Sequence, residues 1–176
     1  QVFSVVTKTP KGQNYDHTED GWGQVTALNV LQLRPPRTWF SLRARALDQA
    51  ARFDAYCAAS DGRLVPIRSG KDLEEFLVQR EETAGLVAGI LAIEGLHCLE
   101  GRVEVLDEFY DVGFRILAPV HFFDNELGGS AHGAVKGGLT PFGREVLLKM
   151  AEKKMLLDLA HASPQLMEDA LALAHG

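Results

Sequence analysis

Leu86-Val87-Ala88-Gly89-Ile90-Leu91-Ala92-Ile93-Glu94-Gly95 is the stretch that decides the fold. Leu86–Ile93 is apolar at both parities, as a strand covered on both faces of a parallel sheet is, and it ends on a carboxylate. Two further apolar runs repeat the pattern. Ile116–Val120 leads into His121, and Met155–Ala160 leads into His161. Helical spacing separates the three, so the chain reads as strand, helix, strand, with a proton-moving or metal-binding group at each C-terminal tip. Active sites of parallel α/β folds gather at that edge, where loops vary over a rigid sheet. A carboxylate and two imidazoles on one rim point to a metal-dependent hydrolase.

Outward from these runs, Val2–Thr7 reads as a buried strand. Lys8–Asn29, with Pro10, Gly12, Gly21 and Gly23, reads as a long polar loop. Pro35 and Pro36 introduce a helix over Arg37–Ala59, with Trp39, Leu42, Ala46, Ala50, Phe53 and Cys57 at helical spacing. Asp61-Gly62 is a turn, Leu64–Ile67 a short strand, and Lys71–Glu82 a helix with Leu73, Phe76 and Leu77 on one face. Val103–Val112 is a helix closed by Gly113. Gly128–Gly138 holds five glycines and reads as a long mobile loop beside the site. Thr140 and Pro141 start the next helix as N-cap and first-turn proline, with Phe142, Val146, Leu147 and Met150 as its buried stripe. Ser163-Pro164 opens a last helix to Ala174.

A chain of 176 residues can bury one sizeable core, so a single domain over residues 1–176 is expected. The apolar share of 46% with 24% charged residues is that of a globular protein. A net charge of −6 without a Lys/Arg-rich stretch argues against a nucleic-acid partner. No run approaches the roughly 20 apolar residues of a transmembrane segment. A soluble protein is expected, with a cytoplasmic location favoured. Cys57 and Cys98 read as free thiols rather than a bridge. Four confident strands amount to about half of an eight-stranded barrel, which takes about 250 residues. The chain opens on Gln1 without an initiator Met and closes where another strand is due. The expected fold is therefore an α/β, (β/α)8 TIM-type barrel of which about half is present, with the first and the C-terminal strands missing.

Each candidate has a plainer role to weigh. A semi-buried Glu94 needs a cation or hydrogen-bond donors, and a helix cap or salt bridge would also serve. His161 suits zinc, or a core histidine bonded to a carbonyl; three polar strand ends together favour the ligand. His121, beside Phe122 and Phe123, suits substrate binding or oxyanion stabilisation, or a structural role. His97 could orient Glu94 from behind or cap a turn. Asp158 reads as structural, His132 as an exposed loop residue or one that touches substrate when the loop closes, and His17 and Asp20 as solvated loop.

The blocks Ala92–His97 (AIEGLH), Leu106–Arg115 (LDEFYDVGFR), Val120–Gly133 (VHFFDNELGGSAHG), Gly138–Arg144 (GLTPFGR) and Leu157–Ser163 (LDLAHAS), in this order, resemble the membrane dipeptidase (renal dipeptidase) family of the amidohydrolase superfamily. The likeness is strongest over Leu86–Gly176. It implies a zinc-dependent barrel hydrolysing dipeptides with a metal-activated hydroxide at a site of two Zn2+ ions, held about 3.5–4 Å apart. Glu94 matches the carboxylate bridging the metals, and His161 a histidine ligand of the second. His121 matches the histidine that contacts substrate and polarises the scissile carbonyl. The family's first-strand His-x-Asp pair, the histidine on the strand after His161, and the downstream arginine and aspartate that recognise substrate have no counterpart here. Val120 stands where many relatives have Thr. The 176-residue chain alone is expected to be inactive. Two other readings stand beside this one. The first is an amidohydrolase acting on another small amide, lactone or N-acyl amino acid. The second is a non-catalytic half-barrel that self-associates through its strand edges as a homo-oligomer.

Overall fold

The computed structural model describes residues 1–9 and 23–175; the Pro10, Gly12 and Gly21 loop positions and the His17 and Asp20 reading lie outside them. In chain order the elements are β1 (Val2–Val6), α1 (Gln24–Leu31), α2 (Arg37–Phe40), α3 (Leu42–Ala58), β2 (Leu64–Pro66), α4 (Gly70–Glu82), β3 (Val87–Glu94), a 3-10 turn (Leu96–Leu99), α5 (Val105–Asp111), β4 (Phe114–Ala118), α6 (Pro141–Glu152), β5 (Leu156–Leu157) and α7 (Pro164–His175). Among the described residues the strands form one parallel sheet in the order β1-β3-β4-β5, with β2 pairing the start of β3.

Side-chain alternation assigns the two faces of that sheet. Phe3 stacks on Phe53 of α3 at 5.1 Å, and a Cβ on Gly89 would stand 2.7 Å from the same ring. Phe3, Val5, Leu91 and Ile93 therefore face the helices and the main core, with Leu96, Leu99, Leu106, Phe109, Phe114 and Leu117 fully enclosed. The opposite face carries Val2, Ser4 and Val6 paired with Ile90, Ala92 and Glu94, and Glu94 pairs onward with Ala118. That face is more open, with Val2 57% and Leu156 61% exposed. Glu94 thus ends the strand on the side the helices leave free.

Three expectations need correcting. The helix expected over Arg37–Ala59 breaks at Ser41, whose backbone is extended and whose hydroxyl caps α3 by accepting from Ala44 N. Glu100 completes the break: one carboxylate oxygen accepts from Ser41 Oγ at 2.9 Å, Leu42 N at 2.7 Å and Arg43 N at 3.3 Å. The end of the stretch expected as loop forms α1 instead. Buried Arg45 ties it down, donating to Thr26 Oγ1, to Thr7 O at the end of β1, and to the Thr38 and Trp39 carbonyls of α2. The strand expected over Met155–Ala160 pairs only at Leu156–Leu157, because the Asp158 carboxylate accepts from Ala160 N and turns the chain. Other signals hold as read. Thr140 caps α6 through Gly143 N ahead of Pro141, Ser163 Oγ accepts from Leu166 N, and Gly113 follows α5 at φ 105°.

Glu100 sits in the left-handed region at φ 52° while serving three donors. Glu100→Ala should lower the unfolding free energy by about 1–2 kcal/mol, read by urea denaturation. Glu100→Gly loses the same acceptor but frees the backbone, so its cost should be smaller. Equal costs in the two variants would rule out a strained turn held by its carboxylate.

Candidate metal centre

Glu94, His121 and His161 come from three separate segments and meet on the carboxyl rim. Their ligand-capable atoms all lie within 4.8 Å of one another. β3 delivers Glu94. Gly95, at φ 87°, then turns the chain away, and a Cβ there would sit 2.7 Å from His97 Nδ1, so the turn excludes a side chain. β4 ends at Ala118, and Pro119-Val120 carries the chain to His121. Gly95 N and Leu96 N donate to Ala118 O and Pro119 O, locking the two exits together. His161 stands beyond β5, in the turn that Asp158 starts, at φ 64°. It is a turn residue rather than the strand tip the sequence suggests.

His121 Nε2 lies 3.0 Å from Glu94 Oε2, and the His121 and His161 rings meet edge to face at 4.7 Å. Burial holds the His121 imidazole below its usual pKa and outweighs the pull of Glu94; the neighbouring His161 and His132 push the same way. A neutral imidazole keeps a lone pair for a cation, and His121 Nδ1 is buried with no hydrogen-bond partner. One carboxylate and two imidazoles are a donor set that zinc accepts, so these residues fit a divalent metal.

His97 does not orient Glu94. Its Nε2 bonds Thr7 Oγ1 at 3.0 Å and its ring packs on Phe123 at 4.9 Å, fastening the end of β1 beneath the site. Cys57 and Cys98 are both free, and burial raises both thiols.

The glycine loop differs most from its expected mobility. Asp124 takes Ser130 N at 2.8 Å, Val135 N at 2.7 Å and Lys136 N at 3.4 Å, so one carboxylate folds the loop around itself. A Cβ on Gly133 would fall 1.9 Å from Asp124 Oδ1, which explains a glycine there. Ser130 Oγ donates to His121 O, and Ala131 N donates to His161 O at 2.8 Å. The braced loop holds His132 against His161 at 5.3 Å and Phe122 at 5.2 Å. Sequence reading passed over the clamping roles of Asp124 and Ser130; the one available signal was an Asp and a Ser beside glycines, the composition of a side-chain-clamped turn.

A parallel sheet with a carboxylate and two imidazoles gathered on its carboxyl rim defines an α/β protein with a candidate metal centre at that edge. The chain belongs to the membrane dipeptidase family (peptidase family M19), whose profile matches residues 2–176. An uncharacterised dipeptidase of Schizosaccharomyces pombe is 37% identical over 90 residues, 48% of this chain and 21% of that protein. Among solved structures, a metallo peptidase from Rhodobacter sphaeroides, bound to a phosphinate mimic of the dipeptide L-Ala-D-Ala, superposes with a TM-score of 0.70 at 20% identity. That match covers 98% of this chain and 49% of that one. A family M19 dipeptidase matches with a TM-score of 0.67 at 25% identity, over 75% of this chain and 39% of its own. The match thus covers less than half the length of each of these relatives. No helix among the described residues is long and apolar enough to cross a membrane.

Burial lowers the His97 imidazole to about 3, with Lys8, His121 and Arg45 adding to the effect. The folded state then refuses a proton that the unfolded chain takes up below its ordinary pKa near 6.5. Stability should fall as pH drops from about 6.5 toward 3, with a slope approaching about 1.4 kcal/mol per pH unit from this group. His97→Gln keeps a partner for Thr7 and should remove that component. Matching pH profiles for the two proteins in urea titrations would contradict it.

Proposed function

We propose that this chain forms one part of a single barrel domain in a zinc-dependent dipeptidase, with Glu94 and His161 as metal ligands and His121 acting on the substrate. The observation that carries this reading is the convergence of Glu94, His121 and His161 within 4.8 Å on the strand-end rim, in a chain of this family. Two Zn2+ ions are proposed for the complete site, with Glu94 shared between them.

Bound there, a divalent cation supplies Lewis-acid activation of water and of the peptide carbonyl. The protein's own contribution is positional and electrostatic. Glu94 offers the negative charge that holds cations on the rim. His121, kept neutral by burial, donates a hydrogen bond to the scissile carbonyl oxygen, where negative charge gathers as the carbonyl is attacked. Its Nε2 stands 3.0 Å from Glu94 Oε2, and would be free to donate to the carbonyl once a bound cation engaged that carboxylate. Phe122, packed tilted against His121 and edge-on against His161, shields that side of the site and strengthens each interaction inside it.

In the full-length enzyme, Glu94→Ala and His161→Ala should lose zinc and dipeptide hydrolysis together, read by elemental analysis and amine release. Normal zinc content in Glu94→Ala would remove it from the ligand set. His121→Ala should keep its metal and lose about 10²–10³-fold in kcat, the usual cost of one stabilising donor. A loss of metal instead would make His121 a ligand. A panel of dipeptides, N-acyl amino acids and lactones decides the substrate class, and exclusive turnover of the latter two would overturn the dipeptidase reading.

A further inference from the structure

β4 closes at Ala118, short of His121, so the sheet ladder does not hold this histidine's main chain. Among the described residues that main chain has one hydrogen bond, and a side chain supplies it: the Ser130 hydroxyl donates to His121 O. His161 is held differently. Residues 129–131 run antiparallel beside 161–163, with Ser130 bridged to Ala162. Ala131 N donates to His161 O at 2.8 Å and Ser163 N to Gly129 O at 3.0 Å. One short segment thus carries both histidines of the cluster, His161 through backbone bonds and His121 through a single hydroxyl.

Ser130 is built for that task. It is fully buried, its amide donates to Asp124 Oδ1 at 2.8 Å, and its Oγ accepts from His132 N at 3.1 Å. A serine hydroxyl has one proton to give, and here it goes to the His121 carbonyl. The imidazole is therefore anchored at its root by Ser130 and met at its tip by Glu94 Oε2, 3.0 Å from Nε2. A cation drawing on the same carboxylate leaves the root as the remaining hydrogen-bonded anchor. A reacting group misplaced by about 1 Å can cost about 10²-fold in rate, so this anchor bears on catalysis. We propose that Ser130 is a positioning residue, whose hydroxyl sets through the His121 carbonyl where the His121 imidazole meets the substrate. The inference rests on the reading of His121 given above.

The test is a double-mutant cycle in the full-length, metal-loaded enzyme. Ser130→Ala should lower kcat about 10–100-fold, short of the loss in His121→Ala, with KM changed less than about twofold. Zinc content should hold, because Ala131 N still grips His161 O. In the His121→Ala background the same change should lower kcat less than about twofold, since its effect passes through the missing ring. Ser130→Thr keeps the hydroxyl and should recover most of the rate. Ser130→Cys, a weaker donor of similar size, should fall between, and it carries the cycle if Ser130→Ala does not fold. A crystal structure of the alanine or cysteine variant should show the His121 ring shifted by about 1 Å from Glu94 with His161 in place. Equal losses in the two backgrounds would make Ser130 a structural residue only. Undiminished kcat or lost zinc would equally overturn the proposal. Calorimetry with a phosphinate dipeptide mimic reads the same cycle as affinity, so a protein that hydrolyses no dipeptide sinks the dipeptidase reading and still decides this one. Wild-type kcat and mimic affinity in His121→Ala sink the reading of His121. A His121 ring unmoved in the Ser130 variants sinks the role of Ser130 alone.

Discussion

The register between β3 and β4 is the constraint from which the site follows. Glu94 lies opposite Ala118, with the next two amides bonded to the carbonyls of Ala118 and Pro119. Side chains alternate with a period of two, so a slip of one residue would turn Glu94 into the helix layer, where a lone carboxylate costs several kcal/mol. The same slip would expose Leu91 and Ile93, which pack in the core. The apolar face therefore enforces the position of the polar tip. On the β4 side only a small Ala118 stands beside Glu94 on that face, which leaves space for His121 to reach its carboxylate.

Around this register, single polar side chains do the work of extended secondary structure. Glu100 starts α3, Arg45 gathers the ends of β1, α1 and α2, and Asp124 shapes the 124–138 loop. Each satisfies several backbone or hydroxyl groups that would otherwise be buried without partners. Arg45 is 4% exposed, and carbonyl and hydroxyl oxygens accept hydrogen bonds from its guanidinium. These clamps hold the rim without lengthening any strand.

Strong periodic signals were legible in the residues: the apolar β3 run, the Thr140-Pro141 start of α6 and the Gly113 end of α5 follow local rules that tertiary structure left intact. The meeting of Glu94, His121 and His161 was legible too, because strand ends in parallel folds share one edge. What escaped depended on partners distant in sequence. Ser41 reads as one more residue in a helical window until Glu100 arrives from 59 residues away. β5 looks long because Leu159 and Ala160 are apolar, yet Asp158 bends the backbone before they can pair. His132 sits among glycines that suggest freedom, and only the position of Asp124 shows that the glycines permit a tight wrap rather than motion.

The Ser130 hydroxyl and the Ala131 amide, both in the loop, grip the carbonyls of His121 and His161. The loop backbone and the geometry of the Glu94–His121–His161 cluster are thereby mechanically joined. An insertion or deletion between Asp124 and Gly138 would tug His121 and His161 out of place along with His132. Side-chain exchange on this fixed backbone would disturb the cluster less than a change in loop length.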